Sequence, residues 1–185
     1  MPHASRTPNW PQVPEQALPD GVLVRDLSPH VDARGVLTEI YREGWLPGVS
    51  QTQWNTSLCT TPSVRGMHLH LQHSDYLVVH SGQFAFGLRD LRPLSPTFDL
   101  HVMLELKASS LFIPPGVLHG FHCLAEGSLV YGMTHGWDIE DDLACRWDDQ
   151  EHGLIFSTTD PILSPRDREA ASFADLQALF ADRCP

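Results

Sequence analysis

Apolar and polar residues alternate with a period of two along most of the chain, in short runs separated by turn-forming residues. Gly21 to Leu27 (GVLVRDL) reads as a first strand. Val36 to Tyr41 reads as another, with Leu37, Glu39 and Tyr41 on one face, and Asp32-Ala33-Arg34-Gly35 between them is a turn signal. Gln51 to Leu58 (QTQWNTSL) alternates as well and puts Gln53, Asn55 and Ser57 on a common face. Amides and a hydroxyl on one face of a strand fit a polar binding cavity; the alternative is a solvated face. Further strands are expected at His68 to His70, Tyr76 to His80, Gln83 to Leu88, Thr97 to Leu106, Leu111 to Ile113 and Ser128 to Thr134. Ser81-Gly82 and Pro93-Leu94-Ser95-Pro96 mark turns between them. Short strands at this spacing predict an all-β sandwich or barrel. Only the tail has a helical pattern, with Ser172 as N-cap of a helix over Phe173 to Ala181. Residues 1–20 are proline-rich and lack apolar periodicity, so they read as an N-terminal arm, and residues 21–185 as a single domain carrying the helical tail.

Composition narrows the partners. The net charge is -11, and Lys107 is the lone lysine beside the arginines. That balance argues against a nucleic-acid-binding surface, but leaves room for a phosphorylated ligand held by a few placed arginines. Cys59, Cys123, Cys145 and Cys184 match no zinc spacing and read as free thiols in a reducing compartment. No early apolar run resembles a signal peptide and no run is long enough to span a bilayer, so a cytoplasmic protein without a membrane partner is expected.

Two candidate chemistries meet in Arg65-Gly66-Met67-His68-Leu69-His70. His68 and His70 share a strand face; after four intervening residues comes Asp75, then Gly82, and downstream stands Pro114-Pro115-Gly116-Val117-Leu118-His119. These spacings resemble the two motifs of the cupin barrel, with Asp75 where glutamate is usual. In this reading His68, His70, Asp75 and His119 hold a divalent metal, as in a metal-dependent cupin dioxygenase or sugar isomerase. His70 and His73 have structural or solvated histidine as the plainer alternative.

The second chemistry rests on a resemblance covering about Gly21 to Leu176. The fragments that carry it are Asp32-Ala33-Arg34-Gly35 with Glu39, Gln53-Trp54-Asn55-Thr56-Ser57, Arg65-Gly66-Met67-His68, Asp90-Leu91-Arg92, Ser95-Pro96-Thr97-Phe98, Ile113-Pro114-Pro115-Gly116, His119-Gly120-Phe121, Tyr131, Trp147-Asp148-Asp149 and Leu163-Ser164-Pro165-Arg166-Asp167. In this order they resemble the nucleotide-sugar 3,5-epimerases, the dTDP-4-dehydrorhamnose 3,5-epimerase family. The resemblance implies a cupin-type jelly roll acting without a cofactor on a nucleotide-diphosphate-linked 4-keto-6-deoxy sugar, dTDP-linked in the family, at C3, C5 or both. Protons beside a ketone are acidic, and a base with a pKa near neutrality can remove one to give an enolate. The resemblance makes His68 that base, Asp167 its orienting carboxylate and Tyr131 the acid on the other face. It places Arg65 at the diphosphate with Arg166 as a second contact, and Gln53, Asn55 and Trp137 around the ligand; His119, His70 and Asp75 are further candidate substrate contacts. It brings Arg34 and Glu39 to the base or phosphate of a site shared across a homodimer. Plainer alternatives are a turn arginine paired with Asp32 for Arg34, core packing for Tyr131 and structural ion pairing for Asp90 and Arg92. One position departs from the family: a lysine is usual seven residues before the glycine matching Gly82, and here that position is Asp75. A protonated Asp75, His70, His73 or a bound metal would then have to face the oxyanion.

Overall fold

The computed structural model describes residues 17–46 and 48–183. Its strands are β1 (Leu23–Asp26), β2 (Pro29–Asp32), β3 (Gly35–Thr38), β4 (Gln53–Cys59), β5 (Val64–His70), β6 (Asp75–Asp90), β7 (His101–Leu106), β8 (Ser109–Ile113), β9 (Val117–Met133) and β10 (Asp142–Ala144). Two helices follow, α1 (Pro165–Arg168) and α2 (Phe173–Arg183). Strands β6 and β9 pair antiparallel along almost their whole length, from Asp75 opposite Met133 to Asp90 opposite Val117. Each changes its outer neighbour midway: β6 pairs first with β8 and then β7, while β9 pairs first with β5 and then β4. The result is two sheet halves, β1-β8-β6-β9-β4 and β7-β6-β9-β5-β10, the all-β jelly roll of the cupin type that the alternation predicts.

The long strands differ from the sequence-based expectation. Ser81-Gly82 is not a turn between two strands; it is a bulge within β6, with register shifts on both sides. Gly82 has φ +83°, and a Cβ on the facing Gly127 would sit 2.0 Å from the Ser81 carbonyl oxygen. Side chains are thus excluded where the paired strands bend. The strand expected over Thr97 to Leu106 begins only at His101, because Ser95 and Thr97 donate their hydroxyls to the buried Asp90 carboxylate and hold the preceding segment in a turn. Val36 to Tyr41 is extended only to Thr38, where β3 pairs with β2 in a separate hairpin, so Leu37, Glu39 and Tyr41 do not share a strand face. Of the expected arm, residues 1–16 lie outside the described residues; Leu18 packs against the barrel core.

Inside the barrel, Leu77, Val79, Phe84, Phe86, Leu104, Leu111, Ile113, Phe121 and Leu129 form the main core. A second cluster covers the outside of the β5/β10 half, where Met67, Leu69, Leu118 and Leu143 meet Phe173, Leu176 and Phe180 of α2. Those three α2 residues form one apolar stripe, each contributing about 1.5–3 kcal/mol on burial. Ser172 caps the helix as expected by accepting from the Asp175 N–H at 3.1 Å. Cys59, Cys123 and Cys145 are free and buried; Cys184 lies outside the described residues. Among the described residues no helix is long and apolar enough to cross a membrane.

Asp90 is fully buried and accepts from Arg92, Ser95 and Thr97, so the structural ion pair expected of Asp90 and Arg92 is present. Burial pushes its carboxyl up, but the bonds from Arg92, Ser95 and Thr97 outweigh this and bring it to about 2. A carboxyl depressed by folding contributes stability above its unfolded pKa and loses it as the pH falls through its folded value. Wild-type protein should therefore lose about 2 kcal/mol from this group between about pH 4 and pH 2. Urea unfolding across that range should show a shallower pH dependence for Asp90→Asn; an identical slope would refute the assignment.

Candidate active site

A pocket of about 230 Å³ opens between the two halves of the barrel. β4 lines it with Gln53, Asn55 and Ser57, the polar face expected from the alternation. β5 supplies Arg65, His68 and His70, and β9 supplies His119 and Tyr131. Asp75 begins β6, Asp142 begins β10, and Trp137 and Arg166 close the rim. Leu77, Phe121 and Leu129 of the core form its apolar floor. The register shift between Arg65 and His68 brings Gly66 against Gly120, where a Cβ would meet the Gly120 Cα at 2.6 Å. That close approach carries the histidine-bearing end of β5 next to His119 of β9.

His68 Nε2 lies 2.9 Å from an oxygen of Asp167, a residue of α1 that is nearly fully buried. Burial pushes the Asp167 carboxyl up, but the hydrogen bond and charge of His68 outweigh it and hold the group below the usual range. An ionised carboxylate accepts, so His68 carries its proton on Nε2 and its lone pair on Nδ1. Tyr131 stands on the other half of the barrel, opposite Asn55 of β4. Its hydroxyl is raised above the ordinary phenol value, first by burial, and so stays protonated near neutrality.

The expected metal set of His68, His70, Asp75 and His119 does not assemble as a unit, because Asp167 draws His68 away. Instead Asp75 accepts from His70 at 3.1 Å and lies 3.2 Å from His119 Nε2. Burial lowers the His70 imidazole to about 4 against the pull of Asp75. Burial also opposes charging of His119, but Asp75 raises it above its ordinary value. The Asp75 carboxyl is disfavoured by burial, yet the bonds from His119 and His70 hold it far below the usual range. Asp75 is thus an acceptor, not the protonated donor weighed for an oxyanion.

Arg34 and Glu39 do not reach this pocket within one chain. Arg34 is exposed and pairs with Asp32 as a turn arginine, and Glu39 pairs with Arg42. Arg166 lines the pocket, with its guanidinium 2.6 Å from Asp142.

Asp142 and Asp141 were missed in the sequence, where His73 stood as an oxyanion donor or a structural histidine. Asp142 accepts from Arg166 and, at 3.1 Å, from the Trp137 indole, and lies 3.4 Å from His70 Nδ1. Burial raises its carboxyl, but Arg166 first and then the His68 and His70 charges bring it to about 2. His73 is fully buried and bonded through Nδ1 to Asp141, 68 residues away. No periodicity in Ile139-Glu140-Asp141-Asp142 marks these carboxylates; only strand pairing of β10 on β5 reveals them.

This is a cupin-type jelly roll with a histidine–carboxylate pair and a tyrosine on the two sides of one pocket. The chain belongs to the dTDP-4-dehydrorhamnose 3,5-epimerase family, whose sequence model matches residues 16–175. It is 34% identical over 149 residues to the spore coat polysaccharide biosynthesis protein SpsL of Bacillus subtilis, covering 75% of this chain and 97% of the relative. It is 32% identical to the dTDP-4-dehydrorhamnose 3,5-epimerase of Pseudomonas aeruginosa, covering 86% of this chain and 94% of that protein. The crystal structure of the Bacillus anthracis dTDP-4-dehydrorhamnose 3,5-epimerase with TDP and PPi bound superposes with a TM-score of 0.74 at 25% identity, covering 83% of this chain and 94% of that one.

Asp142 gathers two charge-assisted hydrogen bonds on a buried carboxylate, each worth about 1.5–3 kcal/mol. Asp142→Ala should therefore lose at least about 2 kcal/mol of stability in urea unfolding. A loss within about 0.5 kcal/mol, the range of ordinary surface changes, would show that the rim does not depend on it.

Proposed function

We propose that the chain epimerises a nucleotide-diphosphate-linked 4-keto-6-deoxy sugar at C3, C5 or both. The observation that carries this reading is the His68–Asp167 pair at 2.9 Å, set in the same pocket as Tyr131. His68 Nδ1 takes the proton from the carbon beside the ketone, and the C–H electrons form the enolate. Asp167 stabilises the resulting imidazolium. Tyr131 then donates its hydroxyl proton to the opposite face of that carbon, and solvent exchange restores both groups. Each proton transfer by a placed side chain is worth about 10²–10⁴ in rate. Arg65, exposed at the pocket wall, meets the diphosphate. Gln53, Asn55, His119 and Trp137 position the ligand, with the backbone N–H of Trp137 donating to Gln53 Oε1. Arg166 is a second diphosphate contact only if it releases Asp142. The TDP in the Bacillus anthracis relative supports a thymidine nucleotide. The chemistry needs no cofactor.

In D₂O, purified protein given a dTDP-4-keto-6-deoxy sugar should wash deuterium into C3 or C5, followed by NMR. His68→Ala should slow the exchange by about 10²–10⁴-fold while dTDP binding persists. Tyr131→Phe should still exchange the proton but lose inversion. No exchange by wild-type protein that binds the nucleotide sugar would overturn the proposal.

We also propose a homodimer sharing the site. Val31, Val36 and Leu37 on the β2–β3 hairpin are 65–75% exposed, an apolar edge beside Arg34 that a second copy would cover. Light scattering should give twice the chain mass, and Leu37→Asp should shift it toward monomer; a monomeric wild type refutes the dimer.

A further inference from the structure

Beside the His68–Asp167 pair, one wall of the pocket carries four polar side chains that proton transfer leaves unused. Nε2 of His70 and of His119 lie 3.1 and 3.2 Å from Oδ2 of Asp75, and Nε2 of His73 lies 3.6 Å from Oδ1. None of the four side chains is more than 10% exposed. Behind each ring stands an acceptor for Nδ1: the Val117 carbonyl at 3.0 Å from His119, Asp141 against His73, and Asp142 Oδ1 at 3.4 Å from His70. The rings of His70 and His73 stack with centroids 3.8 Å apart.

His73 decides the reading. The backbone N–H groups of Leu71, Gln72 and His73 donate to the Asp141 carboxylate at 3.0, 2.7 and 3.2 Å. A carboxylate so occupied accepts, so the Nδ1 of His73 supplies the proton of their bond. In the neutral ring Nε2 then holds a lone pair. That nitrogen is buried, has no hydrogen-bond partner, and faces a carboxylate oxygen. A lone pair set against a carboxylate is unfavourable unless a cation, a proton or a metal ion, lies between them. The spacing suits a metal ion: ligand atoms of His70, His73 and Asp75 all lie within 4.8 Å of one another, and bonds of about 2.0–2.1 Å place tetrahedral ligand atoms about 3.4 Å apart. A ligand imidazole typically has its second nitrogen bonded to a carboxylate or carbonyl, as His73 has to Asp141.

We propose that His70, His73 and Asp75 bind one divalent first-row transition-metal ion through two imidazoles and a carboxylate, the ion displacing the proton that His70 shares with Asp75. His68 is not a ligand, so the ion and the His68–Asp167 pair coexist. Asp141 is a positioning residue that fixes the His73 tautomer. The site stands apart from the epimerase reading, and its test does not use activity.

Wild-type protein stripped with a chelator, then reloaded with Zn²⁺ or Co²⁺ and dialysed, should retain one ion per chain by mass spectrometry. The cobalt form should show the visible absorption of nitrogen ligation. His73→Ala and Asp75→Asn should lose the ion. Asp141→Asn should weaken binding by about 10–100-fold, the usual effect of removing such a support. Circular dichroism of the metal-free variants separates loss of ligands from loss of fold. Wild-type protein that retains no ion, or a folded His73→Ala that binds as tightly as wild type, would overturn the proposal.

Discussion

The pairing of β6 with β9 is the interaction on which everything else hangs. Two strands held together from one end to the other form a ribbon, and that ribbon runs through both halves of the barrel. The bulge at Gly82 and Gly127 bends it where the halves meet, and the change of neighbours around that bend encloses an interior. The pocket lies inside the enclosure because each half turns one face inward. Asp75, His119 and Tyr131 all belong to this ribbon, and β4 and β5 take their positions from β9.

Local patterning made the inward face of β4 and the capped tail helix legible, because each depends on residues adjacent or a few positions apart. The His68–Asp167 pair was reached only through resemblance: its partners are 99 residues apart and no periodicity connects them. The Ser81-Gly82 bulge was misread because a glycine that permits a turn also permits a bend within a paired strand, and the difference lies in what faces it. Asp142 and Asp141 were invisible for the same reason as Asp167, but with no motif to point to them.

The departure at Asp75 takes on a physical meaning in the fold. A lone carboxylate at the bottom of a pocket meant for a developing anion would be a liability. Here it is surrounded by His70, His73 and His119, and these rings are supported in turn by Asp141, Asp142 and a backbone carbonyl. The anionic side chain at this position thus comes with a surrounding wall of imidazoles and their acceptors.

Asp167 reaches His68 from α1, and α1 is followed by α2, whose apolar stripe docks on the outside of the β5/β10 half. The barrel strands leave the ribosome before either helix, and a domain begins to organise from the part already made. Asp167 therefore joins His68 from a segment made 99 residues later. The His68–Asp167 pair thus depends on the docking of a segment outside the barrel strands, and a chain lacking α1 would leave His68 without its carboxylate.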